Sequence, residues 1–330
     1  RTGAALVALA IVAATVAATR GASRLALALA LSAAFQALYG ILVLASDQPT
    51  IWGRAKHVFL NAATGSFVNP NHFACFLSIG LACGTALALG ELPGDEAEGA
   101  RTGWTEWFGR RGSRGLALLL LLALILAGLL VSFSRAGLAL GMGCAALVLL
   151  AGGGRTAWRT RLLGAAVVAL AALVPLFDLG IAHLIERYAS TKQEFILPGG
   201  RVRVWQDTLA MSAAFPVAGS GFGTFAAVYP LYRSTEVRHF YQHAHNDLLQ
   251  TAAEGGTAGA LLALLVLAAI LRSSRAALAG RSGTVGVGLA CGLIAFLFHG
   301  LIDFNLHIPA NAAAAAILAG ALEGLAWKPS

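Results

Sequence analysis

The residues best suited to chemistry lie in the second half of the chain, close to the start of a long apolar stretch. His243 and His245 can exchange protons near neutral pH, and His245 stands just ahead of a predicted helix. A helix N-terminus offers free backbone N–H groups and the positive end of a dipole, which attract phosphate. Arg201 and Arg203 supply guanidinium groups that match phosphate oxygens. This combination indicates proton transfer beside an anionic group.

Several of these residues also have a structural interpretation. Arg203 and Asp207 are four residues apart and can pair within one helix. Arg201 has no such local partner, so it is either an anion clamp or a side chain that extends to lipid headgroups. Trp205 can stack on a sugar or anchor the chain at a membrane interface.

The helix after His245 begins with further polar residues. Asp247 is expected to cap it, with Gln250 completing a capping-box-like pair, and Asn246 is a candidate substrate ligand. Glu254 lies about two turns inside the helix. It is expected either to orient an arginine or His245, or to be neutral and merely tolerated.

Two more candidates lie earlier in the chain. Arg135 stands at a turn between two apolar stretches, where a charge is costly and points to function, with extension to the surface as the alternative. His72 is a candidate substrate ligand at the start of an apolar stretch that Asn71 is expected to cap.

Two other patterns are interpreted as structural. Gly219–Gly223 looks like a phosphate-binding loop but lacks the strand–turn–helix context, so a tight turn is predicted. His299, Asp303 and His307 have the spacing of metal ligands on a helix. Pro309 indicates that the helix ends before His307, so no metal is predicted.

Composition shows which elements must position these residues. Of the 330 residues, 58% are hydrophobic and only 12% are charged, and the mean hydropathy is +0.76. Soluble domains are about 45–50% apolar and about 25% charged. A soluble enzyme, a disordered tail and a disulfide scaffold are therefore excluded. In a membrane protein the net charge of +8 reports orientation first, so no nucleic-acid partner is expected.

The sequence predicts an all-α fold, a polytopic bundle of transmembrane helices. The predicted spans are residues 3–19, 24–46, 71–90, 115–133, 136–152, 162–180, 247–271, 283–303 and 310–327. The first six belong to an N-terminal part (1–180) and the last three to a C-terminal part (247–330). Short connections rich in arginine alternate with connections that have few basic residues. The positive-inside rule places the arginine-rich set in the cytoplasm, so the chain is expected to start outside and to end inside.

Residues 181–246 form a long periplasmic loop in this topology. The loop is too aromatic to be disordered, and loops of this length usually carry function. Its segment Gly200–Phe215 is predicted to be an amphipathic helix in the interface. Val202 and Leu209 lie on one side of that helix, with Val204 and Met211 beside them.

The motifs together resemble the superfamily of O-antigen ligases and O-antigen polymerases, over roughly residues 65–310. His245-Asn246, nine residues and then Gly256-x-x-Gly259 match the pattern H-[NSQ]-x9-G-x-x-[GTY]. The other matching elements are Asn69-x-Asn71-His72-Phe73-Ala74, Ser134-Arg135, Gly200-Arg201-x-x-x-Trp205 and Pro216-x-x-Gly219-x-Gly221-x-Gly223-x-Phe225. Spans that start outside fit a member without its first three helices.

The resemblance implies a GT-C-like glycosyltransferase in the bacterial inner membrane, with its active site facing the periplasm. It would move a glycan from undecaprenyl pyrophosphate to an acceptor hydroxyl such as lipid A–core, with inversion and without a metal or other cofactor. Arg135 and Arg201 would bind the pyrophosphate, and His245 would engage the acceptor hydroxyl. The expected substrate contacts are Arg203, His243, Asn246, His72, Trp205 and Glu254.

Other activities stay open. A polymerase would use a second lipid-linked glycan as acceptor, and a protein O-oligosaccharyltransferase would use Ser or Thr. A transporter would show inverted repeats and helices broken within the membrane. The sequence also leaves open whether His243 or His245 is the base.

Overall fold

A computed structural model describes residues 2–91, 112–152 and 199–327. The predicted span 162–180 and residues 181–198 of the long loop lie outside these ranges. So do most of the connection around residues 92–111 and the connection 153–161. The chain divides into two compact units. The described parts of the first unit are 2–91, 112–152, 272–297 and 308–327, and those of the second are 199–271 and 298–307.

Most of the described chain is helical. The helices are α1 (Thr2–Val16), α2 (Ala22–Leu44), α3 (Pro70–Glu91), α4 (Gly112–Val131), α5 (Arg135–Ala151), α6 (Arg201–Ala214), α7 (Phe225–Val228), α8 (Asp247–Leu278), α9 (Gly283–Gly300) and α10 (Pro309–Ala326). Short 3-10 turns cover Tyr229–Leu231 and Asn305–His307. A two-stranded antiparallel hairpin pairs β1 (Thr50–Ile51) with β2 (Arg54–Ala55).

This is an all-α polytopic membrane protein. Within the described ranges, six helical segments are long and apolar enough to cross a membrane. The first, Gly3–Leu44, loses helical geometry at Thr19 and Arg20 and therefore contains both of the first two predicted spans. α5 is apolar but shorter, at 17 residues. Every predicted span except 162–180 is thus confirmed as a helix.

Small residues let the helices of the first unit pack closely. Gly320 and Gly324 of α10 lie so near the carbonyl oxygens of Ala10 and Ala14 in α1 that a Cβ at either glycine would overlap them. In the same way, a Cβ at Gly80 of α3 would overlap the Cβ of Ala33 in α2. Close backbone approach is how helices associate in a membrane, where burial of apolar surface gives no driving force.

The cap of α3 differs from the prediction. Asn69, not Asn71, caps the helix, because its Oδ1 accepts from the Asn71 backbone N–H at 2.8 Å. Pro70 occupies the first helical position, which fixes the preceding residue as the cap. The Asn71 side chain instead accepts from Ser134 Oγ at 2.8 Å, and Ser134 caps α5. Asn71 thereby ties the start of α3 to the start of α5.

The second unit has its own small core around α6. That helix is present as predicted, but its apolar sides differ in burial. Val204 and Met211 are fully buried, whereas Val202 and Leu209 are 37% and 59% exposed. The core also includes Phe225, Tyr229, Val237, Ala244 and Ala253.

Helix α8 is broken at Gly256, which has φ +61° and ψ −159°. The segment that follows α6 fills the break, with the Thr257 N–H donating to Pro216 O at 2.9 Å. A Cβ at Gly256 would overlap the carbonyl oxygen of Val217. A broken span is one feature that the transporter alternative predicts, but here a loop from the same unit occupies the break.

The predicted tight turn at Gly219–Gly223 is confirmed. Gly219, Gly221 and Gly223 all have positive φ, which glycine adopts without strain. Their backbone N–H groups donate to protein acceptors, among them the carbonyl oxygen of Glu254 at 2.9 Å from Gly221 N. The loop therefore uses its N–H groups to hold α8 rather than to cradle a phosphate.

Candidate active site

The polar residues around the start of α8 form the candidate site of the second unit. Asn246 caps the helix, because its Oδ1 accepts from the Leu249 N–H at 2.9 Å. The predicted cap at Asp247 is wrong by one residue. His245 precedes the cap with φ +53°, a left-handed conformation that costs energy for a residue with a side chain. Such strain is most often held in place at functional positions.

A buried aspartate supports His245. The Nδ1 atom of His245 lies 3.2 Å from Oδ1 of Asp303. The same Oδ1 accepts from the Phe304 N–H at 3.0 Å. An ionised carboxylate only accepts hydrogen bonds, so the proton between it and His245 belongs to Nδ1. The Nε2 atom of His245 then carries a lone pair, and it has no hydrogen-bond partner among the described residues.

Arg201 completes this arrangement from the first turn of α6. Its side chain is 7% exposed, and Nη1 lies 3.8 Å from Oδ2 of Asp303. Nη1 also donates to the carbonyl oxygen of Ile302. Extension to lipid headgroups is therefore wrong, since the guanidinium turns inward. Asp303 links Arg201 to His245, which are 44 positions apart in the sequence.

His243 occupies a separate part of the site. Its ring stacks on Phe304 with centroids 4.3 Å apart, and it lies 4.6 Å from the ring of His307. Burial, followed by the nearby His307, lowers the pKa of His243 to about 4. His243 is therefore neutral at pH 7. Phe304 also meets the ring of His245 edge to face, with centroids 4.8 Å apart, so one aromatic ring contacts both histidines.

Gln250 and Asp247 organise the residues around His243. Gln250 Oε1 accepts from the Ala244 N–H at 3.0 Å, and its Nε2 lies 3.1 Å from His243 Nδ1. Asp247 accepts from the Leu306 N–H at 3.0 Å and lies 3.3 Å from Nδ1 of His307. The prediction that helical geometry ends before His307 is confirmed, since α9 ends at Gly300.

Among the residues that the structure describes, Glu254 contacts neither an arginine nor His245. Its carboxylate accepts from the backbone N–H groups of Gly223 and Phe225, at 3.0 and 2.9 Å. Gln250 Nε2 lies 3.3 Å from the same carboxylate. A buried carboxylate with these donors is satisfied, and it anchors the glycine turn to α8.

Arg203 and Trp205 lie on α6 beside this site. Arg203 is 3.5 Å from Asp207, as predicted, and its Nε donates to Ser234 Oγ at 2.8 Å. Trp205 Nε1 donates to the carbonyl oxygen of His245 at 3.3 Å. Both side chains keep exposed surface, so either can still meet a substrate.

Arg135 and His72 belong to the first unit. Arg135 is exposed at the first position of α5, directly after the cap Ser134. His72 is buried in the first turn of α3, and its carbonyl oxygen accepts from Asn311 Nδ2 at 3.0 Å. The other seven candidate residues all lie in the second unit.

The sequence interpretation missed Asp303 as a site residue. It grouped Asp303 with His299 and His307 by helical spacing. The helix ends at Gly300, so the three residues do not share one helical face. The available signal was a single aspartate in a short, otherwise uncharged connection between two apolar spans. A charge in such a place needs a partner.

The sequence model of the O-antigen ligase family matches residues 119–264. This match supports the resemblance to the O-antigen ligase superfamily. The match includes Arg135, Arg201, His245 and the break at Gly256, and it ends before Asp303. No curated protein matches the chain.

The match with the O-antigen ligase family indicates the broad class of activity. It supports a membrane glycosyltransferase of the O-antigen ligase or polymerase type and implies lipid-linked glycan substrates. The second unit adds a histidine with an available Nε2, supported by a buried carboxylate and an arginine.

Proposed function

We propose that this protein transfers a glycan from undecaprenyl pyrophosphate to the hydroxyl of an acceptor such as lipid A–core, with inversion at the sugar C1. The observation that carries the proposal is the contact of His245 with Asp303 and of Asp303 with Arg201. It gives the ring of His245 a defined tautomer in its neutral form and a carboxylate to stabilise its charged form. This is what a general base for a hydroxyl needs.

The reaction starts when the acceptor hydroxyl donates its proton to Nε2 of His245. The acceptor oxygen forms a bond to the sugar C1 as the bond from C1 to the phosphate oxygen breaks. The pyrophosphate leaves with that electron pair, and His245 becomes an imidazolium beside Asp303. Direct displacement gives inversion and no sugar–enzyme intermediate. The base and the cationic side chains meet these needs without a metal or cofactor.

The leaving pyrophosphate gathers negative charge that cationic groups stabilise. Arg135 is the proposed contact, because this residue is exposed at the start of a helix, where backbone N–H groups also favour an anion. Arg201 is the second proposed contact. Its burial and its contact with Asp303 give it a positioning role as well.

The remaining proposed substrate contacts differ in their exposure and in their hydrogen bonds. Trp205 keeps exposed surface beside His245, and Arg203 keeps exposed surface on the same helix, which suits contact with a glycan. The side-chain oxygens of Asn246 and Glu254 accept hydrogen bonds from backbone N–H groups. These two residues therefore affect the substrate by fixing the backbone around the site. His72 stays a proposed contact on the resemblance alone. A site that faces the periplasm of the inner membrane follows from the predicted topology.

The test is a transfer assay with purified protein and an undecaprenyl-pyrophosphate glycan. It is run with lipid A–core, without an acceptor and with a Ser/Thr peptide, and the products are separated by size. A single addition that depends on the core supports the proposal. A ladder that grows from the donor alone identifies a polymerase, and glycosylated peptide identifies a protein transferase. No product from folded protein in all three reactions contradicts glycosyl transfer.

A further inference from the structure

The orientation of the Gln250 side chain can be read from its contacts. Its Oε1 lies 3.0 Å from the backbone N–H of Ala244. A backbone N–H only donates, so the group that faces it is the amide oxygen. The other end of the amide is therefore the NH2 group, which only donates.

This orientation fixes the tautomer of His243. The Gln250 NH2 group lies 3.1 Å from Nδ1 of His243 and 3.2 Å from Nε2 of His307. The same NH2 group also lies 3.3 Å from Oε1 of Glu254. Nδ1 of His243 is unprotonated, because a proton there would face a second donor. The ring is neutral at pH 7, since burial lowers the pKa of His243 to about 4. Its one ring proton is therefore on Nε2.

The two histidines of the site thus present opposite groups. The contact with Asp303 places the proton of His245 on Nδ1 and leaves a lone pair on Nε2. The contact with Gln250 gives His243 an Nε2–H instead. In the described part of the chain, neither Nε2 has a hydrogen-bond partner, and both rings are partly exposed. One can accept a proton from a substrate, and the other can donate a hydrogen bond to it.

We infer that His243 binds an oxygen of the substrate through its Nε2–H and does not act as the base. The inference rests on the proposed function and adds that His245 takes the proton while His243 donates a hydrogen bond. Gln250 is the positioning residue that determines the tautomer of His243. The oxygen belongs either to the phosphates of the donor or to the acceptor glycan, and kinetics with each substrate varied in turn tells them apart.

The direct test is the tautomer of His243 in the whole wild-type protein. Histidine labelled with 15N distinguishes a protonated ring nitrogen from an unprotonated one by NMR, with His243→Gln used to assign the signal. The expected result at pH 7 is a proton on Nε2 of His243 and on Nδ1 of His245. A proton on Nδ1 of His243 overturns the inference, whatever the activity of the protein.

A pair of substitutions tests the contact with substrate. Gln places its amide N–H near the position of Nε2, whereas Asn is too short to reach it. We expect His243→Asn to lower kcat/KM by about 3- to 10-fold, the cost of one neutral hydrogen bond, and His243→Gln to restore most of the loss. A rise in KM for the donor identifies a phosphate oxygen, and a rise in KM for the acceptor identifies a glycan oxygen.

The pH profile separates this inference from the proposed function. The acidic limb of kcat/KM should keep its position in both His243 variants, because the base is His245. Wild-type kinetics in His243→Asn, with the tautomer as expected, overturns the substrate contact. A displaced acidic limb shows that His243 is the base, which overturns the inference but leaves glycosyl transfer intact. No transfer by wild-type protein counts against the proposed function instead.

Discussion

Replacing Asp303 by Asn tests the charge beside His245 without changing the shape of the site. The Oδ1 atom of Asp303 accepts from the fixed backbone N–H of Phe304. An asparagine must therefore keep its oxygen on that side and its NH2 group toward Arg201. His245 retains an acceptor for its Nδ1–H, so its tautomer stays the same. The substitution keeps the hydrogen bonds of Oδ1 and removes the negative charge that both His245 and Arg201 contact.

The size of the effect follows from the distance between the two side chains. At 3.2 Å, an imidazolium and a carboxylate attract each other by about 5 kcal/mol at an effective dielectric constant of about 20. If the proton is about half transferred in the transition state, about half of that attraction is lost. Because 1.36 kcal/mol is a tenfold change in rate, kcat should fall about 10²-fold.

The assay is single-turnover glycan transfer, with unfolding followed on the same samples. Asp207→Asn is the matched control, because Asp207 is also buried, 3.5 Å from an arginine and bonded to the N–H of Ser234. It should lose stability but not turnover of the folded protein. The reasoning is refuted if Asp303→Asn transfers glycan within about threefold of wild type, or if Asp207→Asn loses as much turnover.

Three further predictions concern the stability of the second unit. Gly256→Ala should lower the melting temperature strongly, because φ is +61° and the added Cβ would overlap the carbonyl oxygen of Val217. The control is Gly143→Ala in α5, where a Cβ has open space and the change should be neutral or stabilising. Equal melting temperatures of the two variants would contradict this prediction. Glu254→Gln should cost about 1–3 kcal/mol in urea unfolding, since an amide cannot accept from both backbone N–H groups; an unchanged midpoint would count against it. His243 has a native pKa near 4 against an ordinary 6.5, so the unfolded chain binds more protons and thermal stability should fall as the pH drops through that interval. His243→Gln should reduce this pH dependence, and an identical dependence would refute the assignment.

The helices were predictable because their signal is local. Apolar stretches of membrane-spanning length predicted every span within the described ranges, with ends displaced by a few residues. The extension of α8 to Leu278 was not predicted, because Arg272 and Arg275 look like the end of a span. The ion pair between Arg203 and Asp207 was also predictable, since both residues lie on one helix.

The partners of the site residues were not predictable, because they are distant in sequence. Asp303 contacts His245 across 58 positions, and no local pattern joins them. Glu254 binds a turn about 30 positions earlier through backbone N–H groups, which leave no trace in residue type. The caps of α3 and α8 failed by one or two positions, because neighbouring polar residues compete for the same role.

The central claim is that Nε2 of His245 takes the proton of the acceptor hydroxyl. The most direct test is single-turnover transfer from an undecaprenyl-pyrophosphate glycan to lipid A–core by wild type and His245→Asn. Asparagine tolerates the left-handed backbone at φ +53° and keeps an N–H for Asp303, so it removes little besides Nε2. The account predicts a loss of about 10²- to 10⁴-fold in folded protein. Transfer at a near wild-type rate by that variant would contradict it.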